Sequence, residues 1–213
     1  MESQVRGGTR WKRFAVVMVP SVAAAAAVGV GLAQGALAAS FSVSGQQFKV
    51  SAEHLHGEGF AQYGGIDTVY TKTDGKEKTQ VPVAISSFDD ATITKMCQSV
   101  KTEIPLIGKT FYLRLDAGGK GTPVTAEDLY IDVAQLDADA KFSQIDIGVA
   151  VKDKTRGPDV KERESVLPGG FAQQAKSADL YKVKQTAWAT TAGTFTLSGL
   201  SMKLGTNPDM ECY

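Results

Sequence analysis

Residues 142–151 read FSQIDIGVAV, and their apolar members fall at every second position: Ile145, Ile147, Val149 and Val151 on one side, Gln144, Asp146, Gly148 and Ala150 on the other. Successive side chains of an extended chain point to opposite faces, so this stretch predicts a β-strand with one face in a core. Its neighbours carry the same signal. Phe111, Leu113 and Leu115 alternate in TFYLRLDAGG and run into the turn pair Gly118-Gly119. In GTFTLSGLSMKL the alternation passes Phe195 and Leu197, slips at Gly199 and resumes at Leu200, Met202 and Leu204, as a β-bulge would make it do. Further alternating segments are 41–50, 69–71 with 80–85, 91–97, 129–133 and 180–187. They predict eight or nine short strands and less than a fifth helix.

One segment competes for a helix. In TAEDLYIDVAQLDADAKF, Thr125 could cap and Glu127 and Asp128 sit where first-turn acids belong. The alternation of Leu129, Ile131 and Val133 favours a strand, because the same phrase recurs in a strand-rich context. Ser51-Ala52-Glu53-His54-Leu55 resembles Thr125-Ala126-Glu127-Asp128-Leu129. ATITKMCQSV from Ala91 resembles ADLYKVKQTA from Ala178, and TFYLRL from Thr110 resembles TFTLSG from Thr194. Three matches in one order point to two rough copies of a strand-turn unit, which would bury a shared face by stacking or by closing a sandwich. The fold class expected is all-β: an antiparallel β-sandwich or a flattened β-solenoid. The charged run KDKTRGPDVKERE, 152–164, is the longest connection and reads as an exposed loop.

The first 39 residues read differently. Arg10, Lys12 and Arg13 precede an uncharged run from Phe14 to Ala33, FAVVMVPSVAAAAAVGVGLA, which ends at a small-residue site. Basic, apolar and small-residue regions in that order make an export signal, with cleavage after Ala38 or Ala39. Twenty apolar residues also suffice to span a bilayer, so a retained membrane anchor is the alternative. Either reading puts residues 40–213 outside the cytoplasm as a single domain, secreted or held at the plasma membrane. From Ser40 onward the chain has 19 basic and 22 acidic residues, which gives no basic footprint for nucleic acid. Cys97 and Cys212 are the two cysteines. In an oxidising compartment they read as one structural disulfide; in the cytoplasm they would be free thiols. No C-x-x-C and no basic partner mark them as a redox centre.

Chemistry is sparse. His54 and His56, as H-L-H, would share one face of a strand near Glu53 or Glu58, but two ligands without a third make a weak metal site, and exposed polar residues explain them better. Asp89-Asp90 and Asp137/Asp139 read as solvated turn acids. Gly64-Gly65, Gly118-Gly119 and Gly169-Gly170 read as turns rather than phosphate loops. No G-x-S-x-G elbow occurs. The aromatics Phe60, Tyr63, Tyr70, Phe88, Tyr112, Tyr130, Phe171, Tyr181 and Trp188 read as core, with some available to line a groove. No catalytic, cofactor or metal residues are assigned.

RWKRF with its apolar sequel, GEGFAQYGG, MCQSV around Cys97, LYIDVAQLDADAKFSQIDIG and KQTAWATTAGTFTLSGLSMKL together resemble an uncharacterised family of exported proteins of Streptomyces and related actinobacteria, domain of unknown function family 6230. The resemblance implies a polytopic membrane protein as a partner. It also carries an automatic cholesterol esterase label, for which the chain offers no nucleophile-base-acid set. Three roles are therefore expected in descending order: a non-catalytic structural or interaction protein of the cell envelope that self-associates or meets a partner, a lipid or apolar-ligand binder, and a hydrolase. An open cavity of roughly 300 Å³ or more lined by Phe, Tyr, Leu and Ile would favour the second.

Overall fold

The computed structural model describes residues 44–71, 75–104, 108–161 and 164–213. The export segment Phe14 to Ala33, with Ala38 and Ala39, lies outside the described residues. The described chain is all-β and antiparallel, with strands β1 (Phe48–Tyr70), β2 (Lys78–Thr94), β3 (Met96–Ile104), β4 (Lys109–Ala117), β5 (Val124–Ser143), β6 (Asp146–Ala150), β7 (Ser165–Val166), β8 (Phe171–Thr191), β9 (Thr194–Thr196) and β10 (Ser201–Gly205). The only helical turns among the described residues are two 3-10 turns, Val151–Asp153 and Pro208–Met210. Among these residues no helix is long and apolar enough to cross a membrane.

The sheet closes on itself. Strand β1 pairs with β2 along one edge and with β8 along the other, and β5 bridges β2 to β8. The result is a barrel of four long strands, of 23, 17, 20 and 21 residues, with β3, β4 and β10 as a flap. This differs from both forms expected, the two-sheet sandwich and the flattened solenoid, and the short strands predicted are segments of long ones.

The physical reason lies in residues with left-handed backbone. Lys95 (φ 50°) and Lys182 (φ 53°) lie in register on either side of Glu53, and Gly59 (φ 60°) and Asp128 (φ 48°) lie on either side of Asp89. Such residues bend a strand, tighten its twist and shift the phase of its alternation. Thus β1 buries Val50 and Ala52 before Glu53, then Leu55, and after Gly59 Phe60. Each phase shift looks like a strand end in the sequence, yet it is what lets so few strands curl into a closed wall.

The repeat has a structural counterpart. Residues 87 apart pair with the same β1 residue on its opposite edges: Thr94 and Tyr181 with His54, Ile93 and Leu180 with Leu55, Ala91 and Ala178 with Gly57. Lys95 and Lys182, the matching lysines of the two phrases, share the left-handed conformation. The third match has no such counterpart, since β4 pairs with β3 whereas β9 pairs with β5.

Two cores result. The larger lines the barrel interior with Leu55, Phe60, Phe88, Leu129, Ile131 and Leu180. The second comprises Tyr63, Val83, Ile85, Tyr130, Val151 and Ala172, with Val160 and Val166 packed against it. Burying each large apolar side chain contributes about 1.5–3 kcal/mol. The run 152–164, expected as an exposed loop, is instead, in its described residues 152–161 and 164, a half-buried strap over this second core. Thr155 and Arg156 donate their backbone N–H groups to Gln174 Oε1 at 2.7 and 3.1 Å. Three local readings also change. Ile147 is 66% exposed, because β6 is an edge strand whose bulge at Gly148 (φ 91°) rotates it outward, while Val149 and Val151 face the second core. Gly199 (φ 66°) lies in a turn between β9 and β10, closed by Leu200 N–H donating to Leu197 O, rather than in a bulge. Gly64-Gly65 lies inside β1, where a Cβ on Gly65 would stand 2.5 Å from Ile85.

Cys97 and Cys212 form a disulfide, with Cα atoms 5.8 Å apart across a separation of 115 residues. It fastens the C-terminus to β3, the flap strand next to the barrel. Lys49 pairs with Glu211 and donates to Tyr213 O at 2.9 Å, and Cys212 N–H donates to Ser99 Oγ at 3.0 Å. Closing so long a loop stabilises by about 4–5 kcal/mol in the chain-entropy account.

Candidate functional site

The barrel interior is not filled. A cavity of about 220 Å³ lies among Leu55, Phe60 and Gln62 of β1, Ser86 and Phe88 of β2, Ile131, Leu136, Ala138, Ala140 and Phe142 of β5, and Gln173, Leu180 and Gln185 of β8. A void of about 20 Å³ adjoins it and shares Leu55, Ile131 and Gln185. Protein interiors pack like organic crystals, so an opening of this size is unusual in a core. It is smaller than the 300 Å³ set for a lipid site.

Two features create it. β5 pairs with β2 only from Val124 to Val133 and then bulges twice, leaving its second half paired with β8 alone. Short side chains at Ala138 and Ala140 face the gap so formed. The rings of Phe60, Phe88 and Phe142 make the apolar wall, with Phe60 at 5.4 Å from Phe88 and 5.2 Å from Phe142. Gly57 lets Phe88 lie flat against β1, since a Cβ there would stand 2.2 Å from its ring.

The polar side of the lumen is a rung across three strands. Gln173 Nε2 donates to Gln62 Oε1 at 2.6 Å, and Gln62 Nε2 donates to Ser86 Oγ at 2.8 Å. Among the described residues, no acid, base or histidine lines the cavity.

The predicted candidates lie elsewhere. His54 and His56 do share a face, the outer one, and β8 brings Asp179 between them: its Oδ1 is 3.0 Å from His54 Nε2 and 2.8 Å from His56 Nδ1. Glu58 lies 3.3 Å from His56 Nε2, and Tyr181 stacks on His54 with ring centroids 4.4 Å apart. The carboxylates on both nitrogens raise the His56 pKa, Asp179 contributing most, and the hydrogen bonds from His56 and then His54 hold the Asp179 pKa low in return. Among the described residues no three His, Cys, Asp or Glu side chains are set to hold a metal ion. Asp137 accepts from Gln135, and Asp139 pairs with Lys182, both on the outer wall.

A second polar group lies under the strap. Tyr63 O–H donates to Glu164 Oε2 at 2.8 Å, and Tyr130 O–H donates to Asp159 O at 2.7 Å under the Lys161 ammonium, 3.7 Å above its ring. Burial pushes both phenols well above their ordinary pKa. It also pushes Asp132 up to about 7, with the charges of Asp67 and Glu164 adding to the effect. Burial moves Asp67 and Glu164 the same way and lowers Lys154 and Lys161.

Sequence reasoning placed Phe60 and Phe88 among groove candidates but passed over Phe142, Gln62, Ser86, Gln173 and Gln185. The available signal was glutamine at inward-facing positions, legible only once the phase shifts are known. No curated protein and no solved structure matches this chain. The model of one family matches residues 44–213, nearly all of the described barrel and flap, and the chain accordingly belongs to that family of unknown function, DUF6230.

Proposed function

We propose that residues 40–213 form an exported, non-catalytic binding protein whose barrel lumen takes a small apolar ligand. The lumen carries the reading: an aromatic and aliphatic wall with a few neutral polar groups is the composition of ligand pockets. At about 220 Å³ the ligand is smaller than a membrane lipid. Export is supported by the basic cluster and apolar run before residue 40, and by a disulfide that suits an oxidising compartment. Mass spectrometry of an organic extract of the natively purified protein tests the lumen. A small apolar compound should co-purify at stoichiometric amount and disappear in Ala138→Trp, which fills the space. Equal recovery from that variant would refute the reading. N-terminal sequencing from cells tests export: a start at Ala39 or Ser40, or membrane retention, is expected.

The second reading, a structural or interaction role at the envelope, draws on strand β10. Met202 and Leu204 are 67% and 71% exposed on a strand that, among the described residues, pairs with β4 alone. Exposed apolar edges are docking surfaces. Cross-linking through Met202→Cys would capture a membrane protein or a second copy if that role holds. The esterase label finds no support in the lumen, where Ser86 bonds to an amide and not to a base, while both histidines face outward.

A further inference from the structure

From the polarity of the lumen we infer the chemical class of its occupant: an uncharged, hydroxyl-bearing chain of about eight carbons, its hydroxyl on the Gln62-Ser86-Gln173 rung. The inference rests on the lumen being a binding site. Size comes first. An apolar cavity of about 150 Å³ accommodates one benzene, so about 220 Å³ gives room for roughly eight carbons.

The polar rung then selects the head group. Its hydrogen bonds run one way, from Gln173 to Gln62 to Ser86. After accepting from Gln62, Ser86 keeps its own proton to donate, and Gln173 keeps its carbonyl oxygen to accept. The rung thus presents a donor at one end and an acceptor at the other. A hydroxyl can serve either end, because it both donates and accepts. A carboxylate can only accept, and an ammonium can only donate. Either charge would enter a lining without a counter-ion among the described residues, and burying an unpaired charge is far costlier than burying a hydroxyl with partners. A plain alkane would leave the rung's free groups unmet, which also costs affinity. Gln185 lines the lumen at the level of Leu136, its register partner, and is the competing position for the head.

Calorimetric titration of the disulfide-bonded full chain at pH 8 with 1-octanol, octanoate, octylamine and octane separates these cases. Octanol should bind about tenfold or more tightly than each of the others, the worth of one hydrogen bond or of avoiding one buried charge. Gln62→Leu with Gln173→Leu should bring octanol to within about threefold of octane, whereas Gln185→Leu should leave the difference intact. Octanoate or octylamine binding as well as octanol overturns the inference on unaltered protein, with no reliance on a variant's folding. Loss of discrimination in Gln185→Leu alone overturns the placement on the rung. If none of the four binds, octane included, the lumen reading itself fails.

Discussion

The same four strands carry two buried regions of opposite character, the lumen on their inner face and the second core on their outer face under the strap. The lumen half holds phenylalanines, alanines and neutral amides, leaves space, and has no titratable group in its described lining. The strap half is packed with Tyr63, Ile85, Tyr130 and Val151, and seals Asp67 and Asp132 beneath a charged segment whose own Glu164 turns inward to Tyr63. The difference follows from what covers each half. Where the chain returns over the barrel, Tyr63 donates to the strap's Glu164 and Tyr130 to its Asp159 carbonyl, and the Lys161 ammonium offsets part of the cost of the carboxylates of Asp132 and Glu164. Where β5 leaves β2, none of the described residues returns over the wall, and its lining is neutral. Stability should therefore reside in the strap half and accommodation in the lumen half.

The largest effect that would break this contrast is in packing. Ile85 is 1% exposed in the strap half, and Ile85→Ala should cost about 3–4 kcal/mol, since the filled core cannot collapse around the lost atoms. Leu136 borders existing space and is only partly buried, so Leu136→Ala should cost about 1 kcal/mol. Urea unfolding at pH 7 measures both. Equal costs would mean that the two halves are packed alike.

Next in size is pH dependence. Asp132 has a folded pKa of about 7 against an ordinary 3.8, so the folded state holds its proton more tightly than the unfolded state. Its contribution is fully present below about pH 4 and is lost as pH rises through 7, where folding must bury a charge. Because Asp67 and Glu164 couple to it and water reaches the group, on the order of 1–2 kcal/mol is expected. The urea midpoint should be higher at pH 5 than at pH 8, and Asp132→Asn should flatten that slope. Ligand binding in the lumen should not follow it.

How much of this could be read in the sequence is clearest in β1 and β8. Strand character was legible, because alternation survives between phase shifts, and so was the repeat that sets two strands on either side of β1. Closure was not, because it depends on Lys95, Asp128 and Lys182 adopting a conformation that lysine and aspartate seldom take. Without those shifts the inward positions of Gln62, Gln173 and Gln185 read as outward ones, and the site disappears among surface residues. The strap was misread for the opposite reason. Its charges look solvated in isolation, and only the tyrosines and Gln174 waiting beneath it give them partners.

A smaller effect tests the lumen directly. A methyl group at position 57 would meet the Phe88 ring, so Gly57→Ala should press that ring into the cavity. Overpacking would cost about 1 kcal/mol, partly offset by the lower chain entropy of alanine in a strand. Co-purifying ligand should fall in proportion to the lost space while the pH slope from Asp132 stays unchanged. A variant that keeps its ligand would mean that Phe88 moves elsewhere and does not bound the site.

The smallest effect concerns the outer wall, where the lumen half has its own titrating group. His56 has a carboxylate on each ring nitrogen, Asp179 at 2.8 Å and Glu58 at 3.3 Å, and only with a proton on both does it donate to both. Its folded pKa is therefore raised above 6.5, with the Asp179 hydrogen bond the largest cause and burial opposing it. A base held more tightly protonated when folded contributes stability that is present below about pH 6.5 and lost as pH climbs through the folded value. Its side chain is 37% exposed, so solvent screening limits the contribution to a few tenths of a kcal/mol. His56→Asn should remove a small, salt-sensitive rise in stability between pH 8 and pH 6, leaving the larger Asp132 slope in place. Measured in Asp132→Asn, the part of the rise that His56→Asn removes should halve or better in 0.5 M salt, because this pair is screened by solution, whereas the part left by Asp67 and Glu164 should change little. A His56-dependent rise indifferent to salt would mean that this pair is as shielded from solution as the strap carboxylates and would erase the distinction between the two regions.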